Sequence, residues 1–173
     1  MTPRMYLFDI DGTVANRETG ELLPGVEEFF ENLPEGTAVA LVTNQGGPAC
    51  HDAGWAYSSN FPPLSKVEAQ YAAIAKKLGC GDRLYMCLAH QLKDGRWIYP
   101  AGLSDGDPRL DHEWRKPRHG MLIKAMADAG GIDPKHVMMV GDRPEDREAA
   151  RTAGVWFTDA DVFFGREPEG DDK

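Results

Sequence analysis

Asp9 and Asp11 stand one residue apart in the string Asp9-Ile10-Asp11-Gly12-Thr13. Where an extended segment has just ended, two carboxylates so spaced can point into one site. One can then serve as nucleophile and metal ligand, the other as general acid and base. Gly12 permits the tight turn that this requires. The plainer reading is a turn in which Asp11-Gly12 only reverses the chain. A string of this kind, however, arises by chance on the order of a few times in a thousand chains of this length, so chemistry is the expectation. Asp142 and Asp146, four residues apart at the start of a predicted helix, both fall near its first turn. Hard cations such as Mg²⁺ prefer carboxylate oxygens. Asp142 with Asp9 can hold such an ion, while Asp146 either binds a metal-bound water or orients Lys116. The structural alternative makes Asp142 the helix cap, with Pro144 in the first turn. Thr43 offers a hydroxyl, and the amides of Asn44 and Gln45 follow it; these groups suit phosphate oxygens. Lys116 is the cation that a phosphate beside several aspartates needs.

These clusters lie more than a hundred residues apart, so the fold has to collect them. Short apolar runs at Met5–Ile10, Ala38–Val42, Leu84–Leu88, Val137–Val140 and Val155–Phe157 read as strands. Three of them are nearly continuous, as in a sheet covered on both faces. Between them, Val26, Phe29, Phe30 and Leu33 form a helical stripe behind Pro24. Ser65 and Glu68 have the spacing of a capping box ahead of Val67, Tyr71, Ile74 and Leu78, with Gly79 as the stop. Leu122, Ala125, Met126 and Ala129 make a third helix ended by Gly130-Gly131, and a fourth runs from Pro144 to Thr152. Strands alternating with helices predict an α/β fold with a doubly wound parallel sheet. Ligands of such sheets bind beyond the carboxyl ends of the strands, where all four polar clusters fall. Residues 44–63 and 89–114 read as long loops without a clear period, the kind that carries function.

The chain has 173 residues, 42% hydrophobic and 27% charged, with a formal net charge of −9. That suits a single soluble domain over residues 1–165, followed by an acidic tail at 166–173. No apolar run approaches the roughly 20 residues needed to span a bilayer, and the N-terminus is unlike a signal peptide. Cys50, Cys80 and Cys87 are odd in number and irregularly spaced, which favours thiols over a disulfide framework. A cytoplasmic protein with no membrane partner is therefore expected. The acidic balance disfavours general nucleic-acid binding. Residues 88–118, by contrast, carry six basic side chains against five acidic ones. The sequence sets no oligomeric state.

Asp9-x-Asp11-Gly12-Thr13, Thr43-Asn44-Gln45, Arg115-Lys116-Pro117 and Gly141-Asp142-x-x-x-Asp146 resemble, in order, the four motifs of the haloacid dehalogenase (HAD) superfamily. The resemblance covers residues 5–158, and the core it implies has at most a minimal cap, since residues 12–23 fit only a small flap. The strings Thr43–Gly46 and Arg115–Leu122 are similar to the branch holding histidinol-phosphate and heptose bisphosphate phosphatases. That branch also includes polynucleotide 3′-phosphatases, whose C-terminal end residues 156–164 resemble. The resemblance implies a Mg²⁺-dependent phosphatase. Its metal ligands would be the Asp9 carboxylate, the Asp11 carbonyl and Asp142. Asp9 would be the phosphorylated nucleophile, Asp11 the acid and base, and Thr43, Asn44 and Lys116 the phosphate ligands. A small phosphate ester of a sugar, nucleotide or amino alcohol is the expected substrate; nucleic acid enters only if the enzyme processes strand ends. Arg115, next to Lys116, is expected to meet the substrate's remote end. A non-catalytic module on this fold and a phosphotransferase remain the alternatives. Many sugar phosphatases of the branch carry a zinc loop ending Cys-x-Cys. Here Cys87 and His90 match its first half, but His112 and Trp114 stand where the last two cysteines would be. Structural zinc is not expected.

Overall fold

A computed structural model describes residues 2–167; the greater part of the acidic tail, residues 168–173, lies outside the described residues. Five strands, β1 (Met5–Phe8), β2 (Ala38–Asn44), β3 (Leu84–Cys87), β6 (Val137–Gly141) and β7 (Trp156–Asp159), form one sheet in the order β3-β2-β1-β6-β7. Every neighbouring pair is parallel. Two further strands, β4 (His90–Gln91) and β5 (Trp97–Ile98), pair antiparallel in a small hairpin.

The nearly continuous apolar strands have a simple cause: both faces of the sheet are buried. Met5 and Leu7 point to one face, with Val42 and Met139. There they meet Met121, Leu122, Ala125 and Met126 of helix α4 (Gly120–Asp128) and Ala149, Ala150 and Ala153 of α5 (Pro144–Ala153). On the opposite face Phe8, Leu41 and Val140 meet α1 (Val26–Glu31), α3 (Leu64–Lys77) and α6 (Ala160–Phe164). Each fully buried side chain of this size is worth about 1.5–3 kcal/mol of transfer free energy. The order runs outward from β1 to β3 and then, across the first strand, to β6 and β7. The direction therefore reverses between β1 and β6, and their carboxyl ends flank the crevice such a reversal creates.

The local structure departs from the sequence expectation at four places. Pro24 precedes α1 rather than opening it, because Gly25 takes the N-cap with φ of 81°. The capping box at Ser65 and Glu68 does not form. Pro63 is the N-cap of α3 and makes no side-chain cap, and Glu68 instead accepts an ion pair from Arg109 at 2.6 Å. The segment 44–63 is partly helical, with α2 (Gly47–His51) and a single turn at Ser58–Asn60. The segment 89–114 contains the β4–β5 hairpin and two further turns. Neither segment had the periodicity of a helix, since none of these pieces exceeds five residues. No helix among the described residues is long and apolar enough to cross a membrane.

Candidate active site

β1 ends at Phe8, and Asp9 follows it with its backbone N–H on the Val140 carbonyl at 3.0 Å. The next strand over, β6, ends at Gly141, so Asp142 emerges beside Asp9. Two glycines allow the crowding. A Cβ on Gly12, whose φ is +77°, would lie 2.5 Å from Asp142 Oδ2, and one on Gly141 would lie 2.5 Å from the Asp146 side chain. Asp9, Asp142 and Asp146 each offer a carboxylate oxygen within 4.8 Å of the others.

Lys116 closes the group from the opposite side. Its ammonium lies 2.6 Å from Asp9 Oδ1 and 2.6 Å from Asp146 Oδ1, and it donates to the Val42 carbonyl at 2.9 Å. All three side chains are buried. Burial opposes the Lys116 charge, but Asp9 and Asp146 outweigh it and hold its pKa above the ordinary lysine value. Burial raises the Asp9 carboxyl to about 7 despite Lys116, with Asp146 adding to the rise. Burial and then the charge of Asp146 also raise Asp142. Asp146 is fully engaged, since its second oxygen accepts the Arg143 N–H at 3.2 Å. Of the two roles open to it, the one its contacts fill is orienting Lys116. Asp142 does not cap α5; the N-cap is Arg143. Three carboxylates against one ammonium leave two negative charges, and the free oxygens are hard donors. The residues present therefore fit a divalent cation such as Mg²⁺.

Asn44 is in place by a different route from the one its amide side chain suggests. Along β2 the N–H groups alternate in direction: Leu41 and Gln45 donate toward β3, and Ala38 toward β1. Asn44 shares the parity of Ala38, but β1 pairs no further than Phe8 opposite Leu41. Its N–H thus faces the crevice. Its side chain clamps the Lys116 backbone, donating to the carbonyl at 2.9 Å and accepting from the N–H at 3.0 Å. The Gln45 amide is unavailable for phosphate because it donates to the Cys87 carbonyl at 2.7 Å. Its side chain instead donates to Thr43 Oγ1 at 3.0 Å and to Asp11 Oδ2 at 2.8 Å. Thr43 accepts that bond, so its own hydroxyl hydrogen is left to donate. Asp11 also accepts the Tyr71 hydroxyl, at 2.6 and 2.9 Å to its two oxygens.

A cavity of about 210 Å³ opens over Asp9, Asp11, Thr43 and Lys116. Phe61 and Cys50 from the 44–63 segment and His90 from the 89–114 segment contribute to its wall, and Arg17, Arg115 and Arg143 bring positive charge. Arg115 is partly committed, donating to the Ala89 carbonyl at 2.9 Å. The basic excess counted over residues 88–118 is mostly spent elsewhere. Arg109 pairs with Asp107 and Glu68, Arg96 with Asp94, and Arg118 with Glu113. Arg17 and Arg143, lone arginines that composition does not single out, supply the charge instead. Cys87, His90 and His112 do not converge. The Cys87 thiol faces the carbonyls of Ala89 and Asp111, and His90 lies against Arg115. His112 stacks on Trp97 with centroids 3.8 Å apart and meets the Tyr99 hydroxyl at 2.6 Å. Among the described residues, the carboxylate trio is the group with metal-binding geometry.

A reversed-order parallel sheet with acids at two adjacent strand ends and a buried lysine between them makes an α/β binding site suited to a divalent cation and an anionic ligand. Comparison with known proteins supplies the class. The model of the HAD-hydrolase-like family matches residues 113–157. The D-glycero-beta-D-manno-heptose-1,7-bisphosphate 7-phosphatase of Haemophilus ducreyi is 31% identical over 90% of this chain and 81% of its own. The enzyme of the same name from Yersinia pestis is 33% identical over 88% and 77%. Among solved structures, a HAD-like phosphatase from Mesorhizobium loti superposes with a TM-score of 0.59 at 23% identity, covering 89% of this chain and 69% of that one. The chain belongs to the HAD superfamily. It is a phosphatase of the HAD type, a hydrolase of phosphate monoesters, which sets aside the non-catalytic module.

Proposed function

We propose that the protein is a Mg²⁺-dependent phosphatase of small, anionic sugar phosphates, with heptose bisphosphates as its first candidate substrates, working through an aspartyl-phosphate on Asp9. The observation that carries this reading is the buried Lys116 ammonium bridging Asp9 and Asp146, with the second Asp9 oxygen left for phosphorus. The names of the relatives favour a sugar bisphosphate over a polynucleotide end. Asp9 attacks phosphorus, forming an oxygen–phosphorus bond as the bond to the leaving oxygen breaks. Asp11 delivers its proton to that oxygen. The Thr43 hydroxyl, the Asn44 N–H and Lys116 bind the phosphoryl oxygens, where charge stabilisation is the main catalytic task. Asp11, now a carboxylate, takes a proton from water as the water oxygen attacks phosphorus. The bond to Asp9 then breaks and inorganic phosphate leaves. Asp9, Asp142 and the Asp11 carbonyl would hold Mg²⁺, which when bound offsets the repulsion between carboxylate and phosphate.

The segments 44–63 and 89–114 form the substrate wall in this reading, with Arg115 directed to the remote end of the ester. In this reading the domain spans residues 1–165. Three free, buried thiols suit a cytoplasmic setting. Phosphate release should be measured with Mg²⁺ across heptose bisphosphates, heptose monophosphates, nucleotides, amino-alcohol phosphates and 3′-phosphorylated oligonucleotides. The heptose bisphosphates are expected to have the highest kcat/KM. Preference for an oligonucleotide end would overturn the substrate assignment.

A further inference from the structure

Tyr71 is a buried hydroxyl to which the mechanism above gives no task. It lies on α3, sixty residues from Asp11, and only 3% of it is exposed. Its ring belongs to the apolar layer with Val67 and Ile74. Its oxygen reaches across to both oxygens of Asp11, at 2.6 and 2.9 Å. Gln45 Nε2 donates to Asp11 Oδ2 at 2.8 Å from the other side. The neighbour of Tyr71, Gln70, donates to the Arg17 carbonyl at 3.1 Å, so α3 also braces the flap that follows the first motif.

We propose that Tyr71 is a positioning residue for the general acid, holding Asp11 toward the leaving oxygen through both half-reactions. This rests on the reading of Asp11 as proton donor and acceptor. A carboxyl group that gives up a proton and regains it changes its hydrogen-bonding needs at each step. Gln45 Nε2 can only donate, so it fixes Oδ2 as the oxygen that accepts. The Tyr71 hydroxyl lies within reach of both oxygens. It can therefore donate to Oδ1 of the Asp11 carboxylate and, after a rotation of its hydrogen, to Oδ2 of the acid. That leaves the proton on Oδ1 free for the leaving oxygen. Asp11 keeps a partner in both states without leaving its rotamer.

Tyr71→Phe keeps the buried ring and removes only the hydroxyl. The wild type, Tyr71→Phe, Asp11→Asn and the double variant should be compared with Mg²⁺ on an alkyl phosphate and on p-nitrophenyl phosphate, whose leaving group needs little protonation. Tyr71→Phe is expected to lose roughly 10–100-fold in kcat/KM on the alkyl ester, a part of the 10²–10⁴-fold worth of a general acid. The loss on the aryl ester should be at least several-fold smaller. Added to Asp11→Asn, it should cost nothing further on either ester, the non-additivity of residues acting as one unit. A purely structural tyrosine would instead lower both esters alike and add to the loss of Asp11→Asn. Equal losses, additive losses or no loss, alongside a normal alkyl-ester defect in Asp11→Asn, would overturn the role of Tyr71 alone. A wild-type alkyl-ester rate in Asp11→Asn would overturn the acid assignment and this inference together.

Discussion

Lys116 touches Asp9, Asp146 and the Val42 carbonyl, yet its single positive charge answers only one of three neighbouring carboxylates. The imbalance explains why Asp9 and Asp142 are both raised: burial disfavours their ionised forms, and Asp146 repels them. Proton and cation then compete for the same oxygens. Below about 7 Asp9 holds a proton that Mg²⁺ must displace, so apparent Mg²⁺ affinity should fall about tenfold per pH unit there and level off above. Calorimetric titration of the metal-free protein from about pH 5.5 to about 8 checks this, and a constant affinity would contradict it. That Asp9, Asp11 and Asp142 meet was legible in the sequence from their spacing at strand ends. A lone lysine carries no pattern, and Lys116 was singled out by the charge a phosphate there needs and by the resemblance. Tyr71 was not legible. Its place in a helical stripe says that the ring faces the core, and nothing local says that the hydroxyl ends beside Asp11. Arg17 and Arg143 were missed because an isolated exposed arginine carries no pattern.

At the scale of elements, the five strands and four longer helices followed from periodicity, since each buries a continuous face. The segments proposed to form the substrate wall did not, because they are assembled from pieces of two to five residues held by side chains. The β4–β5 hairpin is one such piece. Trp97 stacks on His112 at an interplanar angle of 6°, and Arg118 lies 5.4 Å over the Trp97 ring. Aromatic contacts of this kind are worth about 0.5–1.5 kcal/mol each, enough to hold a hairpin but little beside the two buried layers. Trp97→Ala should therefore raise KM for the preferred sugar phosphate several-fold, with kcat on p-nitrophenyl phosphate nearly unchanged. Because Trp97 also packs against one core layer, the substitution should lower Tm by roughly a few degrees. A Tm loss with no change in KM would place the hairpin outside substrate recognition.

The molecule as a whole carries a net charge of −9, whereas its cavity sets Arg17, Arg115, Arg143 and Lys116 against Asp9, Asp11, Glu145 and Asp146. A cation in the carboxylate trio would tip that local balance to positive. EDTA should abolish turnover and Mg²⁺ should restore it without zinc. Metal analysis of protein purified without chelators should find well under one zinc per chain; a full equivalent would mean that Cys87, His90 and His112 come together after all. The fold brings four sequence-distant motifs to one cavity, and the proposed role of Asp9 there as nucleophile is open to a direct measurement. Enzyme quenched during turnover should be reduced with borohydride, digested and sequenced by mass spectrometry. An aspartyl-phosphate on Asp9 predicts homoserine at position 9 and at no other aspartate, dependent on both substrate and Mg²⁺. Unmodified Asp9 throughout turnover, in protein whose Asp11→Asn variant also accumulates no phosphoenzyme, would contradict the account.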